Sequence, residues 1–211
     1  MSDAAATLRA RAAQERLHVP DDLAARLIAY FGLLQRWNRK INLTSRQDTD
    51  HAVDRLLIEP LAAATHLPHA STLADLGSGG GSPAIPLALA LGSPRLLMVE
   101  SRSRKAAFLR EAAREVQLEA EVQTARFELV CRRSEYAGRF DIASIRAVRP
   151  DLATLSAAAA LIRTGGLVGL FESADAEPLS AIPADLAWRS TEPLLPSTGS
   201  RLAVLFHVEQ R

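Results

Sequence analysis

The chain has 211 residues, 48% of them hydrophobic, and a formal net charge of +1 at pH 7. This length fits one domain of ordinary size with some accessory structure, and the near-neutral charge by itself announces no nucleic-acid partner. No apolar run reaches the roughly 18 residues of a membrane span, and the first residues do not resemble a signal peptide, so we expect a cytoplasmic protein with no membrane association.

The N-terminal part of the sequence predicts helices. Residues 3–17 are rich in alanine and arginine and predict a weakly amphipathic helix that ends near Pro20. Asp21 or Asp22 is a typical N-terminal cap for a second helix. The apolar residues of this helix recur at helical spacing and predict a buried face. They are Leu23, Leu27, Tyr30, Phe31, Leu34 and Trp37.

A third helix is predicted from about residue 49 to residue 65, with Asp48 as its cap. His66 and His69 follow it and are the only histidines at metal-ligand spacing. A polar helix terminus explains them better, so we expect no metal site.

The stretch from residue 73 to residue 83 combines a short apolar strand, an acid at its end and a glycine-rich turn. Gly77, Gly79 and Gly81 stand at alternating positions, where glycine lets the backbone come close to a ligand. A helix predicted for residues 84–91 would point its free N–H groups at the turn. Such a turn suits a nucleotide-like or carboxylate-bearing molecule.

Two classes of cofactor fit this turn. A dinucleotide fingerprint, G-x-G-x-x-G, needs a third glycine where this chain has Ser82. The spacing D-x-G-x-G-x-G, which starts at Asp75, resembles motif I of class I S-adenosylmethionine (AdoMet) methyltransferases. About 20 residues further on, Glu100 follows a second predicted strand and is placed to accept both ribose hydroxyls. AdoMet and NAD share that contact, so Glu100 supports the fold without choosing the cofactor.

From residue 72 onward, predicted strands alternate with predicted helices. The predicted strands are residues 72–75, 96–100, 121–124, 141–145, 167–171, 186–190 and 202–208. Only a turn separates the last two, which suits an antiparallel hairpin at a sheet edge and the methyltransferase ending rather than a dinucleotide fold. We therefore expect an α/β fold of the class I AdoMet-methyltransferase (Rossmann-like) type. Its seven-stranded sheet would occupy residues 69–211, and residues 1–68 would form an N-terminal helical cap integral to the domain.

Five ordered segments carry a closer resemblance. Residues 37–44 are similar to W-N-x-x-x-N-L-T, and residues 75–87 to D-x-G-[ST]-G-x-G-[FL]-P-G-[IL]-P-L. Residues 100–109 match [DE]-S-x-x-[KR]-[KR]-x-x-F-L, residues 126–128 fall at R-[AV]-E, and residues 140–147 at F-D-x-[VI]-x-[ST]-R-A. Together they resemble the bacterial 16S ribosomal RNA guanine-N7 methyltransferases, historically called glucose-inhibited division protein B.

The resemblance implies AdoMet as cofactor and N7 of one guanine in small-subunit ribosomal RNA as methyl acceptor. It also implies the cofactor-binding residues. These are Asp75, Gly77, Gly79, Gly81, Ser82, Glu100, Phe127, Glu128 and Arg146. The glycine turn would hold the methionine end, Glu100 the ribose, and Phe127 with Glu128 the adenine. Arg146 would reach the cofactor or the target base as a positioning residue, with no acid or base catalyst assigned.

Contact with 16S ribosomal RNA or the small subunit is expected from basic and polar residues near the helical cap and the cofactor cleft. They are Arg39, Lys40, Asn42, Arg104 and Lys105, with Arg36, Arg46 and Arg102 beside them. Arginine suits phosphate and guanine recognition, although a solvated surface also explains such residues. We expect the chain to act as a monomer.

The chain departs from the family pattern at several positions. Ser82 replaces a large apolar residue, and Ile145 replaces a hydroxyl residue. Residues 56–60 occupy the H-I-L-D-S position and keep only an acid, Glu59. Glu172 stands where the family generally has lysine. If that lysine normally meets phosphate, the carboxylate would repel it.

Guanine N7 is an unprotonated acceptor and needs no general base, and the sequence shows no catalytic dyad. Residues 145–147 are not the N-P-P-Y type associated with amino-group methylation. Cys131, the only cysteine, lies outside that position and is expected to be structural. Three other classes stay open at this point: an AdoMet-dependent methyltransferase acting on a protein or small molecule, an NAD-dependent oxidoreductase, and a non-catalytic RNA-binding module.

Overall fold

A mixed sheet of seven strands forms the centre of the protein, in a computed structural model that describes residues 2–44, 49–179 and 181–208. The strands are β1 (Thr72–Leu76), β2 (Arg95–Val99), β3 (Ala120–Gln123), β4 (Phe140–Arg146), β5 (Ile162–Glu172), β6 (Leu186–Leu195) and β7 (Ser200–His207). Their order is β3-β2-β1-β4-β5-β7-β6. The first five run parallel, and β7 runs antiparallel to β5 and β6. The predicted α/β fold with a closing hairpin is confirmed.

Helices cover both faces of this sheet. They are α1 (Ser2–Gln14), α2 (Asp21–Asn38), α3 (Thr49–Val53), α4 (Glu59–Ala64), α5 (Ala84–Ala90), α6 (Ser103–Glu115), α7 (Phe127–Val130) and α8 (Leu152–Leu161). A π-helical turn, Asp54–Ile58, joins α3 to α4. The predicted third helix is therefore a run of three segments, and the short α7 was not predicted.

The start of α2 differs from the prediction. Pro20 occupies the N-cap position and no side chain caps the helix, so the assignment of Asp21 or Asp22 as the cap is wrong. Both acids lie in the first turn, where a carboxylate is favoured by the helix dipole. Asp21 also accepts a 2.9 Å hydrogen bond from Arg9 of α1. Asp48 and Arg46 lie outside the described residues.

Each face of the sheet has its own hydrophobic core, because successive residues of a strand point to opposite faces. Leu73 of β1 packs with α2 residues such as Leu27, Tyr30 and Phe31. Ala74, the next residue, belongs to the second core, which includes residues of α8. The N-terminal helices thus close one face of the sheet and share its core. The division at residues 68 and 69 stays a prediction.

The strand order reverses at β1, which lies between β2 and β4. In an open parallel sheet, ligands bind beyond the carboxyl ends of the strands at such a switch point. The segments that follow β1, β2 and β4 therefore meet at one edge, and the candidate site is built there.

No helix in the described part of the chain is both long and apolar enough to cross a membrane. The same residues contain no group of three or more His, Cys, Asp or Glu side chains that could hold a metal ion.

Candidate active site

Asp75 near the end of β1 is a buried carboxylate at the base of the site. It lies directly opposite Ser144 of β4 in the strand register, and the Ser144 hydroxyl donates a 2.5 Å hydrogen bond to it. Burial raises the pKa of Asp75, whereas the hydrogen bond from Ser144 acts to lower it. The hydroxyl that the family pattern has at Ile145 is therefore present one residue earlier, on the face that meets Asp75.

The glycine turn follows β1, and Gly77, Gly79 and Gly81 all have positive φ. A Cβ at Gly81 would lie 2.9 Å from Cδ1 of Ile85, so glycine allows the close approach of the turn to α5. A Cβ at Gly79 would meet only the Gly77 carbonyl oxygen, 3.7 Å away, and otherwise open space. The turn thus has a tight side toward the core and an open side on which a ligand can lie.

The segment after α2 supports this turn. The Asn38 side-chain oxygen accepts hydrogen bonds from the N–H groups of Leu43 (2.8 Å) and Thr44 (3.1 Å). A Cβ at Gly80 would lie only 3.2 Å from the Leu43 carbonyl oxygen, so the two segments are in close contact. Tyr30 donates a 2.6 Å hydrogen bond to the Gly80 carbonyl. The W-N-x-x-x-N-L-T segment therefore shapes the cofactor turn.

Glu100 follows β2 and faces the glycine turn. Its Oε2 accepts a 2.9 Å hydrogen bond from the Gly79 N–H, and its Oε1 accepts a 2.8 Å bond from the Arg102 N–H. Each carboxylate oxygen can accept a second hydrogen bond. One lone pair per oxygen therefore remains for a pair of donors such as the two hydroxyls of a ribose.

These residues fit AdoMet. The open side of Gly79 gives backbone space for the methionine part, Asp75 lies beneath the turn, and Glu100 presents two acceptors for the ribose. Phe127 and Glu128 begin α7, shortly after β3, whose carboxyl end adjoins that of β2 through a bond from the Glu100 N–H to the Gln123 carbonyl (3.1 Å). Glu128 is exposed and Phe127 is half-buried against the second core. Their contact with the adenine stays a prediction.

Ser82 points its hydroxyl toward the helical layer. It donates a 2.8 Å hydrogen bond to the Leu56 carbonyl in the π-helical turn. Pro60 explains why that carbonyl is available, because a proline four residues later supplies no N–H. The Arg55 carbonyl, five residues before Pro60, likewise lacks the donor that π-helical bonding would use, and Arg146 donates to it at 2.7 Å. Any contact of Ser82 with the cofactor stays a prediction and would involve its backbone.

Arg146 is the last residue of β4 and carries a buried positive charge. Its side chain is 8% exposed and lies 3.4 Å from Oε2 of Glu59, which is equally buried. The guanidinium carbon stands 5.8 Å from the ring centroid of Phe171. Burial lowers the pKa of Arg146 to about 10, with Glu59 opposing that change, so the group carries its charge at neutral pH.

A cleft of about 740 Å³ opens beside Arg146. Its lining includes Glu59, Phe171 and Thr198, and also Val148. A Cβ at Gly77 would lie 2.6 Å from a methyl carbon of Val148, so the cleft adjoins the glycine turn. We call this space the acceptor cleft.

Basic side chains lie along one edge near the cofactor turn. The rings of Trp37 in α2 and Phe108 in α6 pack edge to face with centroids 5.8 Å apart, which brings the end of α2 beside the start of α6. Most of the predicted RNA-contacting residues lie in these two segments of the chain; Lys105 is half-buried and the others are exposed. They are Arg39, Lys40, Asn42, Arg104 and Lys105.

No cation of this basic edge forms an ion pair with another residue that the structure describes. Their charges are therefore available to an anionic partner.

Glu172 is less of an obstacle to RNA than the sequence indicates. It lies opposite Arg201 in the β5–β7 register, and Nη2 of Arg201 is 3.6 Å from its carboxylate. The negative charge is thus balanced from the neighbouring strand. Burial raises the pKa of Glu172, and Arg201 counteracts this.

Two residues of the acceptor cleft were missed by sequence reasoning. Glu59 stands where the H-I-L-D-S pattern has its aspartate, and this retained acid could have indicated a residue of the site. Thr198 donates a 3.1 Å hydrogen bond to Glu59 across 139 residues of chain, and no local pattern reveals such a contact. Cys131 is buried, and burial raises the pKa of its thiol to about 12, so it is no nucleophile at neutral pH.

Comparison with known proteins identifies the family. The family model for rRNA small subunit methyltransferase G matches residues 23–181. The ribosomal RNA small subunit methyltransferase G of Aromatoleum aromaticum is 40% identical over 169 residues, 77% of each chain. The protein of the same name from Xanthomonas euvesicatoria is 35% identical over 200 residues, 92% of each chain.

Solved structures show the fold. A putative O-methyltransferase from Klebsiella pneumoniae matches with a TM-score of 0.63 at 15% sequence identity. The match covers 86% of this chain and 90% of the Klebsiella chain. The O-methyltransferase from Bacillus cereus, solved in complex with SAH, has a TM-score of 0.62 at 19% identity with the same coverage. The family model and these relatives show that this chain belongs to the rRNA small subunit methyltransferase G family and is an AdoMet-dependent ribosomal RNA methyltransferase.

Proposed function

We propose that this enzyme methylates N7 of one guanine in the 16S RNA of the small ribosomal subunit. The observation that best supports the proposal is the position of Arg146, a buried cation at the end of β4 that faces a cleft adjoining the cofactor turn. A guanidinium has five N–H donors. Nη1 is already bonded to Arg55 and Glu59, and the remaining donors can hold O6 of a guanine while N7 stays free.

The chemistry requires alignment rather than proton transfer. Bound AdoMet supplies an electrophilic methyl group on its sulfonium. Transfer of this methyl group to the N7 lone pair would leave the S–C bonding electrons on sulfur and would move the positive charge to the guanine ring, so no base would be needed to remove a proton. Glu59, the buried carboxylate of the cleft, is engaged by Arg146 and Thr198 and is not needed as a base. Placing the reacting atoms in line and excluding water supply the rate enhancement.

The basic edge supports RNA as the acceptor. Arg39 and Lys40 at the end of α2 and Arg104 and Lys105 in α6 can contact phosphates, which position an RNA without reading its sequence. We place the reaction in the cytoplasm, where ribosomal RNA is modified, and propose a monomeric enzyme. Sedimentation of the purified chain tests the last point.

The test is transfer of labelled methyl from AdoMet to small subunits and to naked 16S RNA, both from cells that lack this protein. We expect one 7-methylguanosine per RNA in at least one substrate form. Arg146→Ala should lower the transfer rate by about 100-fold or more, as loss of a positioning contact does. Arg139→Ala, at the opposite end of β4, is the matched control and should transfer normally. A different methylated nucleotide, or transfer to protein alone, would contradict the proposal.

A further inference from the structure

The carboxylate of Glu59 joins two parts of the chain that are far apart in sequence. Its Oε2 lies 3.4 Å from Nη1 of Arg146, at the end of β4. Its Oε1 accepts a 3.1 Å hydrogen bond from the hydroxyl of Thr198, in the turn between β6 and β7. Each oxygen therefore has its own partner, and the carboxylate plane is fixed from both sides.

Thr198 is itself held by the hairpin turn. Its N–H donates to the Leu195 carbonyl at 3.3 Å, and its hydroxyl lies 2.8 Å from the hydroxyl of Ser200. Each hydroxyl has one proton to donate. When Ser200 supplies the proton between the two, the Thr198 proton is free for Glu59. The C-terminal hairpin thus contacts Glu59 through the Thr198 side chain.

The π-helical turn fixes Arg146 from the other direction. Nη1 of Arg146 donates to the Arg55 carbonyl at 2.7 Å, a group that Pro60 leaves without a helical partner. One face of the guanidinium is therefore anchored by Arg55 and Glu59. Arg146 also lines the acceptor cleft, so the anchored guanidinium borders the space where a substrate can lie.

We propose that Glu59 and Thr198 are positioning residues for methyl transfer, which together fix the direction of the Arg146 guanidinium in the acceptor cleft. This inference rests on the proposed function, because it gives Arg146 the task of holding the target base. A buried ion pair is weak evidence for stability, since apolar residues of the same volume often serve as well. A role in aiming Arg146 explains why two charges and a hydroxyl meet at this point.

The experiment compares Glu59→Gln, Thr198→Val and Thr198→Ser with Thr191→Val, an exposed threonine of the same hairpin. The kcat and KM for RNA, the Kd for AdoMet and the melting temperature are measured for each. We expect Glu59→Gln and Thr198→Val to lower kcat by about tenfold or more, because misplacing one aligned group has that effect. The Kd for AdoMet should change by less than about twofold, since neither residue contacts the glycine turn. Thr198→Ser, which keeps the hydroxyl, and Thr191→Val should behave as wild type.

The same changes are then made in an Arg146→Lys background. If Glu59 and Thr198 act through Arg146, they produce little further loss there, whereas independent residues would lower kcat by the same factor again. A kcat that is unchanged in Thr198→Val, or a loss that follows the melting temperature in every variant, would overturn the inference.

A second readout does not depend on activity. NMR of the Arg146 guanidinium should show slow proton exchange in wild type and at least about tenfold faster exchange in Glu59→Gln. Unchanged exchange would overturn the inference even if the wild type proved to methylate another substrate. Wild-type enzyme that leaves 16S RNA unmethylated would overturn the proposed function alone, and exchange would then decide the role of Glu59.

Discussion

At the scale of single residues, the carboxylate of Glu100 joins two backbone segments beside the glycine turn. Its two oxygens accept the backbone N–H groups of Gly79 and Arg102, which hold the cofactor turn against the start of α6. One lone pair on each oxygen remains, and we propose that these two lone pairs accept the hydroxyls of the AdoMet ribose. Removing the side chain would therefore loosen the turn and also delete the proposed ribose contact.

We expect Glu100→Ala to raise the Kd for AdoMet by about 10- to 100-fold, which corresponds to about 1.4–2.7 kcal/mol and to the loss of charge-assisted hydrogen bonds. Calorimetric titration measures the change. Glu119→Ala changes an exposed acid before β3 that pairs with Arg95 on the surface, and this control should bind AdoMet normally. Equal affinity of wild type and Glu100→Ala would remove Glu100 from the cofactor site.

At the scale of elements, the π-helical turn connects the helical layer to both halves of the site. Pro60 withholds its N–H, and side chains from the cofactor turn and from β4 bond the carbonyls that are left open. Ser82 and Pro60 are both departures from the family pattern, and they meet at one carbonyl. The serine supplies the hydrogen bond that the proline cannot.

This pairing predicts a coupling in stability. Ser82→Ala removes the 2.8 Å hydrogen bond to the Leu56 carbonyl and should lower the free energy of unfolding by about 1–3 kcal/mol. In a Pro60→Ala background, the new N–H can bond that carbonyl, so the same change should have a clearly smaller effect. Urea unfolding of the four chains measures both values, with the exposed Ser134→Ala as control. Additive effects of Ser82→Ala and Pro60→Ala would contradict the pairing.

Asp141 lies near the amino-terminal end of β4, at the end of the sheet away from the site, and its side chain bonds residues at the starts of β1 and β5. Its carboxylate accepts hydrogen bonds from the Ser71 N–H (2.8 Å), the Thr72 N–H (3.0 Å) and Nε of Arg163 (2.7 Å). Partial burial acts to raise the pKa of Asp141, but these hydrogen bonds outweigh it and lower the pKa to about 2. A carboxyl whose pKa is depressed by folding stabilises the protein above its unfolded value, near 3.9, and that contribution is lost as the pH falls toward 2.

Asp141→Asn should therefore lower the free energy of unfolding by about 1–2 kcal/mol at pH 7, with some of the effect screened by solvent. The difference between the two proteins should shrink as the pH falls from about 4 to 2. Urea unfolding at a series of pH values measures it. A difference that stays constant to pH 2 would show that the charge of Asp141 does not contribute.

At the scale of the whole molecule, the sheet topology positions the cofactor turn and the acceptor cleft, and the basic residues beside them supply positive charge. The sheet brings the cofactor turn and the acceptor cleft to one edge, and the packing of Trp37 on Phe108 places the basic edge beside them. The net charge of +1 conceals this local concentration of positive charge. RNA binding is therefore expected to depend on a few cations.

Arg104→Gln with Lys105→Gln should weaken RNA binding and reduce the slope of log K against log salt by about 1.4–1.8, since each phosphate contact contributes about 0.7–0.9. Filter binding over a range of salt concentrations measures the slope. Arg95→Gln with Arg139→Gln removes the same charge from the opposite edge of the sheet and should leave the slope unchanged. Identical slopes in all three proteins would exclude Arg104 and Lys105 from the RNA interface.

Local pattern was enough to predict the strands, the glycine turn and Glu100, because each depends on residues close together in sequence. The edge at which Arg146 lies followed from parallel strand order. The contacts between Glu59, Arg146 and Thr198 and between Ser82 and Leu56 depend on side chains that only the folded chain brings together. The π-helical turn was also missed, since its geometry follows from Pro60 and from donors outside the helix.

The most direct test of N7 as the acceptor uses 16S RNA transcribed with 7-deazaguanosine, in which a C–H group replaces N7 and the Watson–Crick edge is unchanged. Normal and substituted transcripts are incubated with labelled AdoMet, free or reassembled into small subunits. We expect the normal transcript to gain one methyl group and the substituted transcript to gain none. Equal labelling of both transcripts would show that another atom accepts the methyl group.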